Sequence, residues 1–321
     1  MSSAITTPKV SIIIPSWTGE VSRPMQSIEQ QTFRDYEVDA VPRISPLAHA
    51  RNLGAQGARG DILLFVDDDI TLGHERVLQQ MVDLLESDAQ PAIVGAPLQV
   101  PAEASRFQHA VARQVPRFVD PVVSDNLVSN PPLDRYGFTA IKGGFCAVWR
   151  TVFEEVGGFD EDLLSGEDTD FFYRVRRRGY NFVLAANCWV YHAPPASLKD
   201  LLRKSFWYGV GHVLEARKSP ERGMAVLPLN RWYGPLGLVA AVIGLPLAFF
   251  VHYYFDPVRR LVFGFRPLKT LSTYATLCGY VYGWYHGKPR KAVTPTEAVL
   301  VVVIDVAIVT LLVLAALRIG A

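Results

Sequence analysis

The chain has 321 residues, half of them hydrophobic, which excludes intrinsic disorder and permits a sizeable core. Its net charge of +1 hides a split: residues 1–198 hold 17 Lys+Arg against 25 Asp+Glu, and residues 199–321 hold 15 against 6. An acidic front and a basic back exclude one uniform globule and point to about two folding units, the second meeting anionic surface. Cys146, Cys188 and Cys278 are odd in number and widely spaced, so neither a disulfide framework nor a zinc pattern is expected. The opening MSSAITTPKV lacks the order of a signal peptide, so the front is expected to stay in a reducing compartment.

In chain order, the apolar, β-branched run Val10–Ile14, ending at Pro15, reads as a buried strand, and Tyr36–Val41 as a second. A helix over Leu47–Ala58 precedes the buried strand Ile62–Val66. Glu75–Ser87 is amphipathic, with Val77, Leu78, Met81, Leu84 and Leu85 on one face, and Ala92–Pro97 is a short strand. Continuous apolar strands alternating with helices imply an α/β domain with a mainly parallel sheet, whose ligands sit beyond the carboxyl ends of the strands.

The back reads differently. Residues 196–231 hold an amphipathic helix over Ser197–Arg217 and a linker; its apolar side lies on anionic headgroups or packs on the front domain. Residues 232–321 read as a membrane region, with runs near 232–255 and 298–317 long and apolar enough to span. A stretch near 268–287 is a weak third span or an interfacial helix. Asp305, inside the last run, is expensive in lipid, so it is expected to mark a helix–helix or subunit contact in a homo-oligomer.

Two acidic motifs and one histidine stand where chemistry is expected. The strand Ile62–Val66 runs into Asp67-Asp68-Asp69, whose repulsion either a divalent cation, Mg²⁺ or Mn²⁺, or a solvated turn would relieve. Gly166-Glu167-Asp168-Thr169-Asp170 opens a helix, where an acid is either a cap or a general base. His192 closes the run after it and is either structural or a ligand.

Taken in order, these segments resemble the family 2 glycosyltransferases, which have the glycosyltransferase A-type fold. Val10–Pro15 is similar to the opening nucleotide-binding strand. Ala50-Arg51-Asn52-Leu-Gly54 and Ala58-Arg-Gly60-Asp61 precede the acidic strand end. Gly143-Gly144, Phe153–Asp160, Gly166-Glu167-Asp168 and Tyr191-His192 follow, so the resemblance covers about residues 9–195. It implies a catalytic domain over 1–195 that binds a nucleotide diphospho-sugar. Asp67 and Asp69 would hold ribose and metal, His192 would be a further metal ligand, and Asp168 would be the base of an inverting transfer. Glu167 would orient the acceptor or sugar. Pro15, Asp68, Arg51, Asn52 and the Gly143-Gly144 pair would line the donor, with Trp17 and Glu20 as candidates for the base.

Two departures stand out. Val41-Pro42-Arg43-Ile44-Ser45-Pro46 replaces the usual acidic pair and Gly-Ser turn, and the Gln-any-any-Arg-Trp element of processive synthases is absent. The expectation is therefore a membrane-anchored, Mn²⁺- or Mg²⁺-dependent inverting glycosyltransferase of the cell membrane, its catalytic domain facing the cytoplasm. It would transfer one or few sugars to a lipid-linked or glycan acceptor, with no nucleic-acid partner. The alternative is a non-catalytic accessory membrane protein that keeps the domain. A nucleotidyltransferase would need a Gly-rich, Lys-bearing phosphate loop that is not present.

Overall fold

The computed structural model describes residues 7–115, 118, 120, 122–129, 141–219 and 266–286. They divide into two compact units, one running to Ala112 and resuming up to Pro194, the other comprising Arg113–Val115 and the chain from Pro195 onward.

In the first unit a seven-stranded sheet has the order β2 (Tyr36–Pro42), β1 (Val10–Ser16), β3 (Ile62–Val66), β8 (Phe145–Trp149), β5 (Ile93–Gly95), β9 (Phe182–Leu184), β7 (Leu127–Ser129). Side chains alternate strictly across it. Ile62, Leu64 and Val66 of β3 join the core that includes Ile28 of α1 (Ser22–Glu29) and Val77, Leu78 and Met81 of α3 (Val77–Leu85). Leu63 and Phe65 join the opposite core, with Ala48 and Ala55 of α2 (Leu47–Gly57), Val152 and Phe153 of α5 (Arg150–Val156), and Phe171 and Val175 of α6 (Glu167–Arg177). Helices therefore cover both faces, as strands apolar throughout require. Pro15 lies inside β1 rather than beyond its end. It falls where β1 has left the β3 ladder, which stops at Ile13, and keeps only β2 as partner; a proline is tolerated there.

The sheet is mixed, which corrects the expectation of a mainly parallel one. β1 is parallel to β2 and β3, and β5 is parallel to β9, but β8 runs antiparallel between β3 and β5, and β7 is antiparallel to β9. An antiparallel strand needs no crossover helix, so the periodicity of the sequence carries no sign of it. β8 begins at the edge where β3 ends, with Val66 opposite Phe145. A smaller sheet, β4 (Ile70–Leu72), β10 (Val190–His192) and β6 (Leu98–Gln99), lies at the same end of β3, since β4 follows Asp67-Asp68-Asp69 directly.

In the second unit α7 (Leu198–Lys218) starts at Ser197, whose hydroxyl oxygen accepts the Asp200 N–H at 3.1 Å. The sequence leaves the apolar side of this helix to headgroups or the front domain; in the structure α8 (Pro267–His286) covers it. Gly209 and Gly279 permit this. A Cβ on Gly209 would collide with the Thr276 carbonyl, and one on Gly279 with the Phe206 carbonyl. The Ser205 and Ser272 hydroxyls bond at 2.8 Å within the same buried seam, and the Phe206 and Tyr282 rings stand 5.5 Å apart. Among the described residues no helix is long and apolar enough to cross a membrane. The stretch near 268–287, expected as a weak third span or an interfacial helix, forms α8, which carries Lys269, Ser272, Thr273 and Thr276 among its apolar residues and gives one side to α7. The two main expected spans, near 232–255 and 298–317, and Asp305 lie outside the described residues, as does the linker from 220 to 231.

Because backbone, not flexible side chain, stands opposite Gly209, a Gly209→Leu substitution is expected to destabilise the helix pair by about 1–3 kcal/mol. A lowered thermal midpoint of the purified chain checks this.

Candidate active site

The carboxyl edge of β3 gathers the polar residues. The Asp67 N–H donates to the Gly144 carbonyl at 2.8 Å, extending the β3–β8 register by one step. Gly143 and Gly144 form a tight turn closed by the Phe145 N–H on the Lys142 carbonyl at 3.1 Å. The Gly143 N–H donates to Asp168 Oδ2 at 3.0 Å. Asp168 Oδ1 accepts the Thr169 N–H at 2.7 Å and its hydroxyl at 3.2 Å. Both glycines are required. A Cβ on Gly143 would overlap the Asp168 side chain, and one on Gly144 would lie 2.5 Å from Asp67 Oδ2. One turn thus touches both the strand-end aspartate and the helix-start aspartate, the latter half-buried.

Beneath the turn lies Arg51 of α2, only 1% exposed. Its Nη2 donates to Asp67 Oδ1 at 2.7 Å and its Nη1 to Glu167 Oε1 at 2.8 Å. Burial opposes the guanidinium's charge, but Asp67, Glu167 and Asp168 outweigh it and hold its pKa above the ordinary value. Glu167 is 7% exposed, and burial, with the Asp168 charge second, raises its carboxyl to about 7 in spite of Arg51. Glu167 is thus almost fully buried beneath the turn, and Arg51 joins the strand-end acid to the helix-start acid. Cys146 of β8 lies fully buried on the same side as Phe65, and burial pushes its thiol up to about 12.

The β4–β10 pairing sets His192 opposite Ile70, which brings its Nε2 to 3.3 Å from Asp69 Oδ2. Among the described residues no group of three His, Cys, Asp or Glu side chains stands close enough together to hold a metal ion. Asp67 is turned onto Arg51, leaving Asp69 and His192 as a pair. That pair fits a divalent cation: two ligands at right angles, each about 2.1 Å from an ion, are about 3 Å apart. Imidazole and carboxylate suit Mn²⁺, and it is His192 Nε2 that faces the Asp69 carboxylate. Asp68 is different again. Burial raises its carboxyl pKa, with the Ser16 hydroxyl opposing and the Asp69 and Asp67 charges adding.

The family model for Glycosyltransferase like family 2 matches residues 7–227, more than half of the chain. The chain belongs to this glycosyltransferase family. A succinoglycan biosynthesis protein, ExoA, of Rhizobium meliloti is 25% identical over 248 residues, covering 64% of this chain and 73% of that protein. An uncharacterized glycosyltransferase of Haemophilus influenzae is 23% identical over 193 residues, covering 52% and 61%. Among solved structures, the mannosyltransferase PcManGT from Pyrobaculum calidifontis, in complex with GDP-Man and Mn²⁺, superposes with a TM-score of 0.54 at 16% identity, covering 87% of each chain. That likeness is one of fold.

The remaining expected residues of this glycosyltransferase fall into two groups. Pro15, Trp17 and Glu20 lie at or just beyond the end of β1, the edge where Asp67 sits; Trp17 is 70% exposed, and Glu20 caps α1 by accepting the Ser22 N–H at 2.9 Å. Asn52 does not face the donor edge. Its amide brackets the Phe159 backbone, donating to the carbonyl at 2.8 Å and accepting the N–H at 2.9 Å, and it also holds Glu161. Phe159 in turn lies 5.3 Å from the Arg51 guanidinium. Sequence reading missed Phe159 and Thr169 as contributors, although both stand inside quoted motifs. Arg59 and Gly60 serve the opposite end of the sheet, donating their N–H groups to the Ser11 hydroxyl.

A carboxyl raised from 4.5 to about 7 keeps in the folded state a proton that the unfolded chain releases above pH 4.5. Native stability is therefore expected to fall as pH rises from 4.5 to 7 and to level off beyond, on the order of 1–3 kcal/mol from this group. Glu167→Gln removes that slope. Urea unfolding of the two proteins in EDTA across this range checks it.

Proposed function

We propose that this glycosyltransferase moves a sugar, with inversion, from a nucleotide diphospho-sugar to a hydroxyl of a lipid-linked or glycan acceptor. The observation that carries this reading is the pairing of a half-buried Asp168 with the acidic end of β3 through the single turn Gly143-Gly144. The GDP-Man and Mn²⁺ bound by PcManGT support a nucleoside diphospho-sugar as donor and a divalent cation as companion. The function of ExoA in succinoglycan biosynthesis supports a glycan product.

In this mechanism Asp168 takes the proton of the acceptor hydroxyl as that oxygen bonds to the sugar's anomeric carbon. The anomeric C–O bond to the diphosphate breaks on the opposite face, and its electron pair leaves with the nucleoside diphosphate, so the configuration inverts. Thr169 and the Gly143 N–H fix the carboxylate plane. The absence of side chains at Gly143 and Gly144 leaves space for the sugar against the backbone. Trp17 offers an exposed ring near the donor edge. Asp69 and His192 would hold the cation, which when bound supplies Lewis-acid relief of the diphosphate's charge.

The acceptor reading rests on the tail, whose two long apolar runs flanked by Lys and Arg would keep the catalytic unit at the cytoplasmic face of a membrane. The basic residues among those runs suit lipid headgroups, not nucleic acid.

Hydrolysis of UDP-glucose, UDP-N-acetylglucosamine and GDP-mannose by the full chain tests the reading, water taking the acceptor's place. Asp168→Asn is expected to lose about 100-fold or more in kcat while still binding donor; turnover near that of the native enzyme overturns the base assignment. His192→Ala is expected to weaken Mn²⁺ binding by about tenfold or more in calorimetry with GDP present. Unchanged affinity removes His192 from the cation site.

A further inference from the structure

We propose that Arg51 is a positioning residue for sugar transfer, fixing the distance between the donor-side Asp67 and the base-bearing start of α6. The proposal rests on the assignment of Asp168 as base.

The contacts close on themselves. Arg51 bonds Asp67 and Glu167; the Asp67 N–H bonds the Gly144 carbonyl; the neighbouring Gly143 N–H bonds Asp168, which follows Glu167 in the chain. Two paths therefore join Asp67 to Asp168. One passes through two adjacent glycines, the residues with the widest backbone freedom. The other passes through a planar guanidinium whose two outer nitrogens stand at a fixed separation. The rigid path sets the spacing, and the glycine turn follows it.

The surroundings of Arg51 hold its plane. The Phe159 ring lies 5.3 Å from the guanidinium, and Phe159 is itself bracketed by Asn52, the next residue after Arg51. Arg51 Nε is buried with no hydrogen-bond partner in the protein, so the two carboxylates, and not full saturation of its donors, dictate where the group sits. A buried arginine kept only to neutralise charge would need no such clamp on its orientation. Positioning also matches what the reaction demands, because a displacement of about 1 Å between base and reacting carbon costs about 100-fold in rate.

The test uses the full chain and the best hydrolysed donor among UDP-glucose, UDP-N-acetylglucosamine and GDP-mannose. Arg51→Lys keeps the charge but cannot span both carboxylates, and is expected to lower kcat about 100-fold with donor KM within about threefold of native. The double variant Arg51→Met with Glu167→Gln removes the buried Glu167 charge together with its partner and leaves only the partly exposed Asp67 unpaired, so it is expected to retain its far-UV spectrum while keeping the same kcat loss. If the double variant returns to within about threefold of Glu167→Gln alone, Arg51 only neutralises charge and the proposal is overturned. It is overturned equally if Arg51→Lys raises KM with kcat unchanged. Asp168→Asn measured alongside separates the two ideas: its near-native turnover defeats the base assignment and the proposal with it, whereas a dead Asp168→Asn beside a normal Arg51→Lys defeats the proposal alone.

Discussion

Five carboxylates, Asp67, Asp68, Asp69, Glu167 and Asp168, converge on one edge of a sheet, and their mutual repulsion is the constraint around which the catalytic unit is arranged. Each is accommodated differently. Asp67 and Glu167 share the Arg51 guanidinium, Asp69 meets His192, and Asp168 receives N–H and hydroxyl donors from Gly143 and Thr169. Asp68 has its carboxyl pKa raised, chiefly by burial and secondarily by the Asp69 and Asp67 charges. Repulsion among like charges at close range costs several kcal/mol in a low-dielectric setting unless opposed, so these partners are conditions for the fold and not only for chemistry. The same arrangement separates the acids by environment. Glu167, with a cationic partner, is almost fully buried, whereas Asp168, with neutral donors, stays half-buried.

The antiparallel β8 makes the convergence geometric. A parallel strand between β3 and β5 would begin at the far edge of the sheet, and its preceding loop would lie away from the acidic end. By running backwards, β8 starts beside Asp67, so the turn before it enters the site directly. The cost of an inserted strand with no helical crossover is met by the apolar character of Phe145, Cys146, Ala147 and Val148, which bury on both faces.

Much of this was legible in the residues. The strand ends, the acidic runs and the paired glycines appear in order, and the β-branched runs gave the positions of β1 and β3 because buried strands of that kind have few alternatives. The direction of β8 was not legible, since periodicity reports which faces are buried and says nothing of direction. Nor was the part played by Arg51, whose partners lie 16 and 116 residues away and are brought to it only by the tertiary fold. Nor does the motif beside Arg51 disclose that the Asn52 amide brackets the backbone of Phe159, 107 residues away. The apolar stretch Leu271 to Tyr285 was compatible with more than one environment, and the residues alone do not tell that Gly209 and Gly279 bring α7 and α8 into close contact.

Cys146 gives the site an unexpected chemical property. Its thiol lies under the acidic edge, and with a pKa near 12 it remains protonated at any physiological pH; Cys188, also buried, is pushed up to about 12 as well. The thiolate is the form that oxidants and alkylating reagents attack. Because Cys146 is fully buried in β8, its modification by peroxide or a maleimide is expected to require opening of that strand and so to report it.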